Sequence, residues 1–386
     1  MRITAVHETT LPIASAMRNA SIAFDAMTGS ALAIETDMRL AGAPVVGYSF
    51  DSIGRYGKGG LLRERFLPRL LAADARELQD ADGVLDPAAA VRICMRNEKA
   101  GGHGERPGAV ALIEAALWDA RAKALEQPLW RVLSGIASGQ PAASASIATY
   151  ASCGHFRPGE SLDELQAEVT RALDAGYTLV KIKLGGDLNE DLRRVSAGLA
   201  VTGPLRLAGD VNGVLDGASG ETWVREISAQ PLAFIEEPAS PLDYLALARF
   251  CATSKCAVGT GENLFSFDDV RNLLRHGGMH PERDLIQIDP LLSYGIEEFI
   301  RILALAGSMG WSPRQFFPHA GHLYAAHLVA GLGLGSAEAA PDASLPWGGY
   351  WDEVRVRDGH ITLPDWPGVG FEGKRNLITP LQWWRT

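Results

Sequence analysis

A chain of 386 residues, 47% hydrophobic and 21% charged, can bury a sizeable core, enough for one large domain plus a smaller one or for two ordinary ones. Its formal charge of −10 argues against nucleic acid or anionic membranes as partners, and no stretch approaches the ~18–20 uninterrupted apolar residues of a membrane span. A small anionic partner stays compatible with that charge if a few cations are gathered at one place.

The N-terminus, Met1-Arg-Ile-Thr-Ala-Val-His7, reads as a first strand and not as a signal sequence. Cys94, Cys153, Cys251 and Cys256 show neither a C-x-x-C pair nor metal-finger spacing, so reduced, buried thiols and a cytoplasmic location are expected. Residues 1 to about 60 alternate with the period of strands, over Ile3–Ile13, Ile22–Thr36 with a break at Thr28-Gly29, and Val45–Ile53, as in an antiparallel meander. Between the first two strands lies a loop carrying Arg18 and Asn19, either a plain connection or a lid over a site elsewhere.

From Leu61 to about Gly135 the period becomes helical, with Asp86-Pro87 at a helix start and a long apolar run over Val110–Leu125. Lys99 stands in the polar, Gly-rich connection Asn97–Gly104. Strands followed by helices predict an α+β unit over 1–135.

After residue 136 short strand-like runs alternate with helical segments: Ser146–Tyr150, Thr178–Lys183, Leu205–Asp210, Ala233–Glu236, Ala257–Gly261, Leu285–Asp289, Gln315–His319 and Gly333–Ala337. This is the pattern of an α/β chain forming a (β/α)7β TIM-like barrel over 136–355, capped by the N-terminal α+β domain. A doubly wound sheet is disfavoured because no strand is followed by a Gly-rich phosphate fingerprint. The Pro-, Gly- and Trp-rich tail, 356–386, is expected to pack back on the cap.

The chemistry-bearing residues fall at the ends of these strands. Lys181 and Lys183, two apart in Leu179–Gly186, share one face of the second strand. Asp210, Glu236 and Glu262 follow at one-unit spacing on the third, fourth and fifth, so a barrel would bring all three to one mouth. Carboxylates held that close repel unless a divalent cation lies between them, and an all-oxygen set with room for water and substrate suits Mg²⁺. Asp289 and His319 end the sixth and seventh strands, a carboxylate and an imidazole as neighbours, and Glu338 closes the ring. His322 and His327 read as structural. A cation that binds a substrate carboxylate stabilises the enediolate left when the α-proton departs; repulsion by one lysine of the pair would keep the other neutral and basic.

Lys-x-Lys, three acids on successive strands and an Asp/His dyad resemble the enolase superfamily and, within it, the mandelate racemase subgroup, with a match over essentially the full length. The resemblance implies Mg²⁺, abstraction of the proton α to a carboxylate, and a symmetric homo-oligomer. Within the subgroup the arrangement, including a lysine at the position of Lys99, resembles the D-tartrate dehydratases most. On that resemblance Lys181 or Lys183 takes the C2 proton, His319 helps the C3 hydroxyl leave, and the product is oxaloacetate. Arg18, Asn19, Lys99, Asn212 and Glu338 are the expected contacts to a dicarboxylic hydroxy acid. Dehydratases of galactarate, talarate or an aldonate, and racemases or epimerases, are the rivals within the family. A non-catalytic metal-binding barrel is the rival outside it.

Overall fold

The structure, a computed structural model, describes residues 1–13, 15, 17–101, 103–136, 144–157, 159–340 and 348–379. Its N-terminal part is a three-stranded antiparallel meander of β1 (Ile3–Pro12), β2 (Thr28–Leu40) and β3 (Ala43–Phe50). Ala41 and Gly42, at φ 48° and 84°, make the two-residue turn between β2 and β3, with the left-handed backbone that matches strand twist. The expected strand from Ile22 starts only at Thr28; residues before it form a loop with a short turn at Phe24–Ala26.

The Arg106–Ala124 helix begins with Pro107 in its first turn, where a missing N–H costs nothing, and is buried along almost its whole length. One side lies on the meander, so closely that a Cβ on Gly47 would stand 1.9 Å from the Ala116 carbonyl oxygen. From the other side Glu114 reaches the second part of the molecule, accepting the amides of Ile296 and Glu297 at 3.0 and 3.1 Å.

That second part is a curled parallel sheet. Its strands are β4 (Ser146–Cys153), β5 (Val180–Lys183), β6 (Leu207–Asp210), β7 (Phe234–Glu236), β8 (Ala257–Thr260), β9 (Leu285–Ile286) and β10 (Ala337–Ala339). They run in the order β10-β4-β5-β6-β7-β8-β9, so the last parallel strand sits beside the first. Helices between the strands start on side-chain caps: Ser161 with Glu164 as a capping box, then Asp187, Asp216, Asp243 and Ser266. Inside the curl, Tyr150, Phe234 and Phe317 meet as an aromatic plug, with ring centroids 6.0 to 6.4 Å apart.

Two expected strands differ. Over Gln315–His319 there is one parallel bridge, Phe316 to Ile286, between a turn at Pro313–Gln315 and another at His319–Gly321. Pro313 and Pro318 flank that bridge and supply no N–H, so a longer ladder cannot form. The eighth strand begins at Ala337, four residues later than expected, because Gly333 at φ 66° still belongs to the end of the Leu323–Leu332 helix. The tail first adds β11 (His360–Thr362) antiparallel to β4. It then reaches the N-terminal part, where Gly368 bonds Leu129 and the Phe371 ring packs 5.1 Å from Phe50. Residues 380–386 lie outside the described ones. Cys94, Cys153 and Cys251 are buried and Cys256 is partly buried, and none of the four is in a disulfide. No helix among the described residues is long and apolar enough to cross a membrane.

Candidate active site

Strand register assembles the site. Lys183 pairs with Asp210 across β5 and β6, and Asp210 with Glu236 across β6 and β7, so three charged residues stand side by side at the C-terminal strand ends. Glu262 follows β8 after Gly261, whose φ of 132° turns the chain inward. Carboxylate oxygens of Asp210, Glu236 and Glu262 lie within 4.8 Å of one another.

Lys181, 1% exposed, is enclosed by acids: Glu236 at 2.5 Å, Glu338 at 2.9 Å and Asp210 at 3.7 Å. Burial opposes its charge, but Glu236 and Glu338 hold it well above the usual lysine value. Lys183 is paired with Asp210. Burial opposes its charge as well, yet Asp210 outweighs the repulsion by Lys181, so among the protein's own charges Lys183 is raised and not lowered. The sequence reading expected that repulsion to prevail; it did not allow for a carboxylate in direct register.

On the acid side, Glu236 is pushed up to about 8, by burial first and by Asp210, Glu338 and Glu262 next, against the pull of Lys181. Glu262 Oε2 is buried without a hydrogen bond, although His319 Nε2 lies 3.2 Å away. An all-oxygen, electron-rich cluster with an unpaired oxygen fits a hard divalent cation such as Mg²⁺ and offers no sulfur or nitrogen set for a softer one.

Beyond β9, Asp289 organises a second cluster. Its Oδ2 takes His319 Nδ1 at 3.1 Å and the Ser52 hydroxyl at 2.5 Å; its Oδ1 takes His322 Nε2 at 3.1 Å and the Leu291 amide at 2.8 Å. Although burial raises it, His322 and His319 hold Asp289 far below the usual carboxylate range. For His319, burial opposes the charge, but Glu262 and the Asp289 bond push it up to about 9. His322, read from sequence as structural, accepts the Ala325 amide on Nδ1 and contacts the dyad as well. His327 is structural in full, with Nδ1 accepting from Trp130 and Nε2 donating to Val369.

A cavity of about 270 Å³ is lined by Glu262 of the acid cluster, by Lys183 and by His319. Of the expected substrate contacts, Asn19, Asn212 and Glu338 line it too. Glu338 already serves Lys181 and the Ala320 amide, whereas Asn212 Oδ1 is buried and unpartnered. Arg18 is exposed, bridged through its backbone to Phe156 and Ala23, and does not line the cavity. Lys99 lines a different cavity, beside Arg106, Tyr294 and Glu297, because its loop folds over the start of the Arg106–Ala124 helix. The cation that the N-terminal part does contribute is Arg55, just after β3, together with Ser21. His155, Asn263, Ser152 and Glu237 add further polar lining. Arg55 and Ser21 gave no sequence signal, since they sit in loops whose approach depends on how the two parts dock.

Residues 164–377, more than half of the chain, match the family described as enolase C-terminal domain-like. The chain belongs to the enolase superfamily. Arabinonate dehydratase from Saccharolobus solfataricus is 24% identical over 67% of this chain and 68% of its own length. L-talarate/galactarate dehydratase from Salmonella typhimurium is 28% identical over 78% of this chain and 72% of its own. The crystal structure of L-talarate dehydratase from Polaromonas sp. JS666, complexed with Mg and L-glucarate, superposes with a TM-score of 0.75 at 25% identity. It covers 96% of this chain and 94% of that one. Homologues of this chain thus include acid-sugar dehydratases, and a solved relative carries Mg.

Proposed function

We propose that the protein is a Mg²⁺-dependent hydro-lyase that dehydrates a dicarboxylic hydroxy acid, with D-tartrate, giving oxaloacetate and water, as the first candidate. The observation that carries this reading is the order around the curled sheet. Lys183 on β5 and His319 beyond the Phe316 bridge both line one cavity, and Asp210, Glu236 and Glu262 stand between them. Asp210, Glu236 and Glu262 would hold the cation, whose Lewis acidity takes up charge on the substrate carboxylate and relieves the hold of Asp210 on Lys183.

Lys181, locked among three carboxylates, remains an ammonium that fixes the acids in place; Lys183, facing the cavity, is the amine assigned to the C2 proton. When that proton has moved to Lys183 Nζ, the C2 electron pair forms the C2–C3 double bond as the C3–O bond breaks. His319 gives its Nε2 proton to the departing hydroxyl, which leaves as water, and the enol tautomerises to the 2-keto acid. Asp289 holds the His319 ring by Nδ1 throughout.

Arg55 supports a second carboxylate at the far end of the substrate, a role for which the sequence offers Arg18 and Lys99. Asn19 and Asn212 supply amide partners for hydroxyls. Incubation with Mg²⁺ and D-tartrate, L-talarate, galactarate, D-galactonate or D-arabinonate, followed by 2-keto acid formation, tests the reading. Turnover of diacids supports it, and turnover of aldonates alone removes it. Proton-transfer groups on both flanks of the acid cluster also favour a second reading, racemisation or epimerisation. In that case solvent deuterium would enter recovered substrate while no 2-keto acid accumulates.

A further inference from the structure

We propose that His155 is a specificity-determining residue of this cavity: its Nδ1 is the hydrogen-bond partner of a hydroxyl group on the bound acid. The inference rests on the acid-sugar reading and deepens it, by naming the group that tells a hydroxylated chain from its deoxy counterpart.

The local backbone sets His155 in place. Gly154, at φ 62°, turns the chain at the end of β4 so tightly that a Cβ there would meet Leu165 Cδ1 at 2.8 Å and Ile182 Cβ at 3.0 Å. The next side chain is thereby driven under the N-terminal part, where the Phe24 ring meets the imidazole edge-on at 5.8 Å. His155 is 5% exposed and lines the same cavity as Lys183 and His319.

Its Nδ1 is buried and has no hydrogen-bond partner among the described residues. The contrast with His327 is informative: that ring is also buried, but both of its nitrogens are engaged by backbone groups. A buried ring nitrogen without a partner is costly, and native structures rarely keep one unless something outside the chain completes it. His155 lines the cavity, so a ligand seated there is the group outside the chain that can complete it.

Chemistry narrows the ligand group to a hydroxyl. Burial first, and Lys183 and Lys181 next, push His155 down to about 3, so the ring is neutral whenever the lysines are charged. A neutral imidazole presents Nδ1 as a donor in one tautomer and as an acceptor in the other, and an alcohol can answer either. A carboxylate uses donors only and is better served by Arg55.

The test is calorimetric binding to the Mg²⁺-loaded protein of D-tartrate, of D-malate lacking one hydroxyl, and of succinate lacking both. His155→Phe is expected to weaken D-tartrate roughly ten- to a hundred-fold while leaving succinate within about twofold. His155→Asn, whose amide stands where Nδ1 stood, is expected to restore most of the loss. Equal weakening of D-tartrate and succinate in folded His155→Phe, or no weakening of D-tartrate, would overturn the assignment. If His155→Phe does not fold, His155→Leu carries the same comparison. Should the unmodified protein bind only monocarboxylic sugar acids, the diacid reading falls, and D-arabinonate against pentanoate then decides His155 by the same criterion. If it binds hydroxylated acids no better than their deoxy counterparts, the His155 assignment falls while the diacid reading stands.

Discussion

His322 donates Nε2–H to Asp289 Oδ1 at 3.1 Å while its Nδ1 accepts the Ala325 amide at 3.0 Å. A backbone amide can only donate, so Nδ1 must be the bare nitrogen and Nε2 the protonated one. One side chain therefore starts the Leu323–Leu332 helix and also steadies the carboxylate that orients His319.

The two roles separate by substitution. His322→Asn keeps a good helix cap and removes the bond to Asp289. It is expected to lower kcat about ten- to a hundred-fold with KM changed only a few-fold, and to leave the melting temperature close to that of the parent. Ser52→Ala, removing the hydroxyl that reaches Asp289 from the N-terminal part, should give a smaller loss in the same direction. Steady-state kinetics with thermal melts on both variants check this. Unchanged kcat in both would mean that Asp289 needs neither partner.

Metal binding has a readout apart from turnover. Three buried acids within 4.8 Å are mutually repulsive, so Mg²⁺ that binds only the folded state should raise the melting temperature with concentration, by mass action. Glu262→Gln should abolish most of that rise while Glu338→Gln, outside the cluster, keeps it. A melting curve indifferent to Mg²⁺ in the unmodified protein would remove the cation from Asp210, Glu236 and Glu262.

Lys181, Lys183, Asp210, Glu236 and Glu262 could be grouped from sequence because strand periodicity and parallel register are local rules, and once β5 to β8 are adjacent their ends must converge. The Gln315–His319 segment is legible from sequence as a strand position but not as a single bridge; Pro313 before it and Pro318 within it are what limit the ladder. Ser52, Arg55 and Glu114 were silent for another reason. Each acts across the contact between the N-terminal part and the curled sheet, and no pattern within a segment encodes which loop meets which. Lys99 is the opposite case: a cation in a Gly-rich loop is compatible from sequence with the mouth, while Arg106 binds its carbonyl and its side chain lines another cavity.

Glu114 predicts a pH-dependent joint between the two parts. Its carboxyl takes Trp118 and Glu297 on one oxygen and Ile296 and Tyr324 on the other, and Gly295 is required because a Cβ would stand 2.1 Å from Oε2. Burial pushes the acid from 4.5 up to about 7, against the donors that would lower it. Between those values the folded state binds more protons than the unfolded one. The contribution is therefore full below pH 4.5 and is lost as pH rises through about 7, on the order of 3 kcal/mol in all. Glu114→Gln has no proton to lose. The difference in melting temperature between the parent and this variant should shift against the parent from pH 5 to pH 8, and a constant difference would show that Glu114 is ionised throughout.

Which lysine is the base can be settled by separating folding from exchange. Lys181 meets three carboxylates within 3.7 Å, so Lys181→Met leaves buried acids uncompensated and should destabilise the protein by roughly 3–5 kcal/mol, whatever it does to turnover. Lys183 has Asp210 alone as its carboxylate partner among the described residues, and its amine faces the cavity. Lys183→Met should fold, respond to Mg²⁺ in a melt and bind substrate, yet lose exchange of the substrate's C2 hydrogen with deuterium oxide by about three orders of magnitude or more. His319→Asn, which lacks the acid and retains the base, should keep that exchange while losing 2-keto acid formation. Exchange that survives Lys183→Met and disappears in a folded Lys181→Met would move the base to Lys181. The three-carboxylate environment would then have to be read as a proton acceptor's housing and not as an ammonium's.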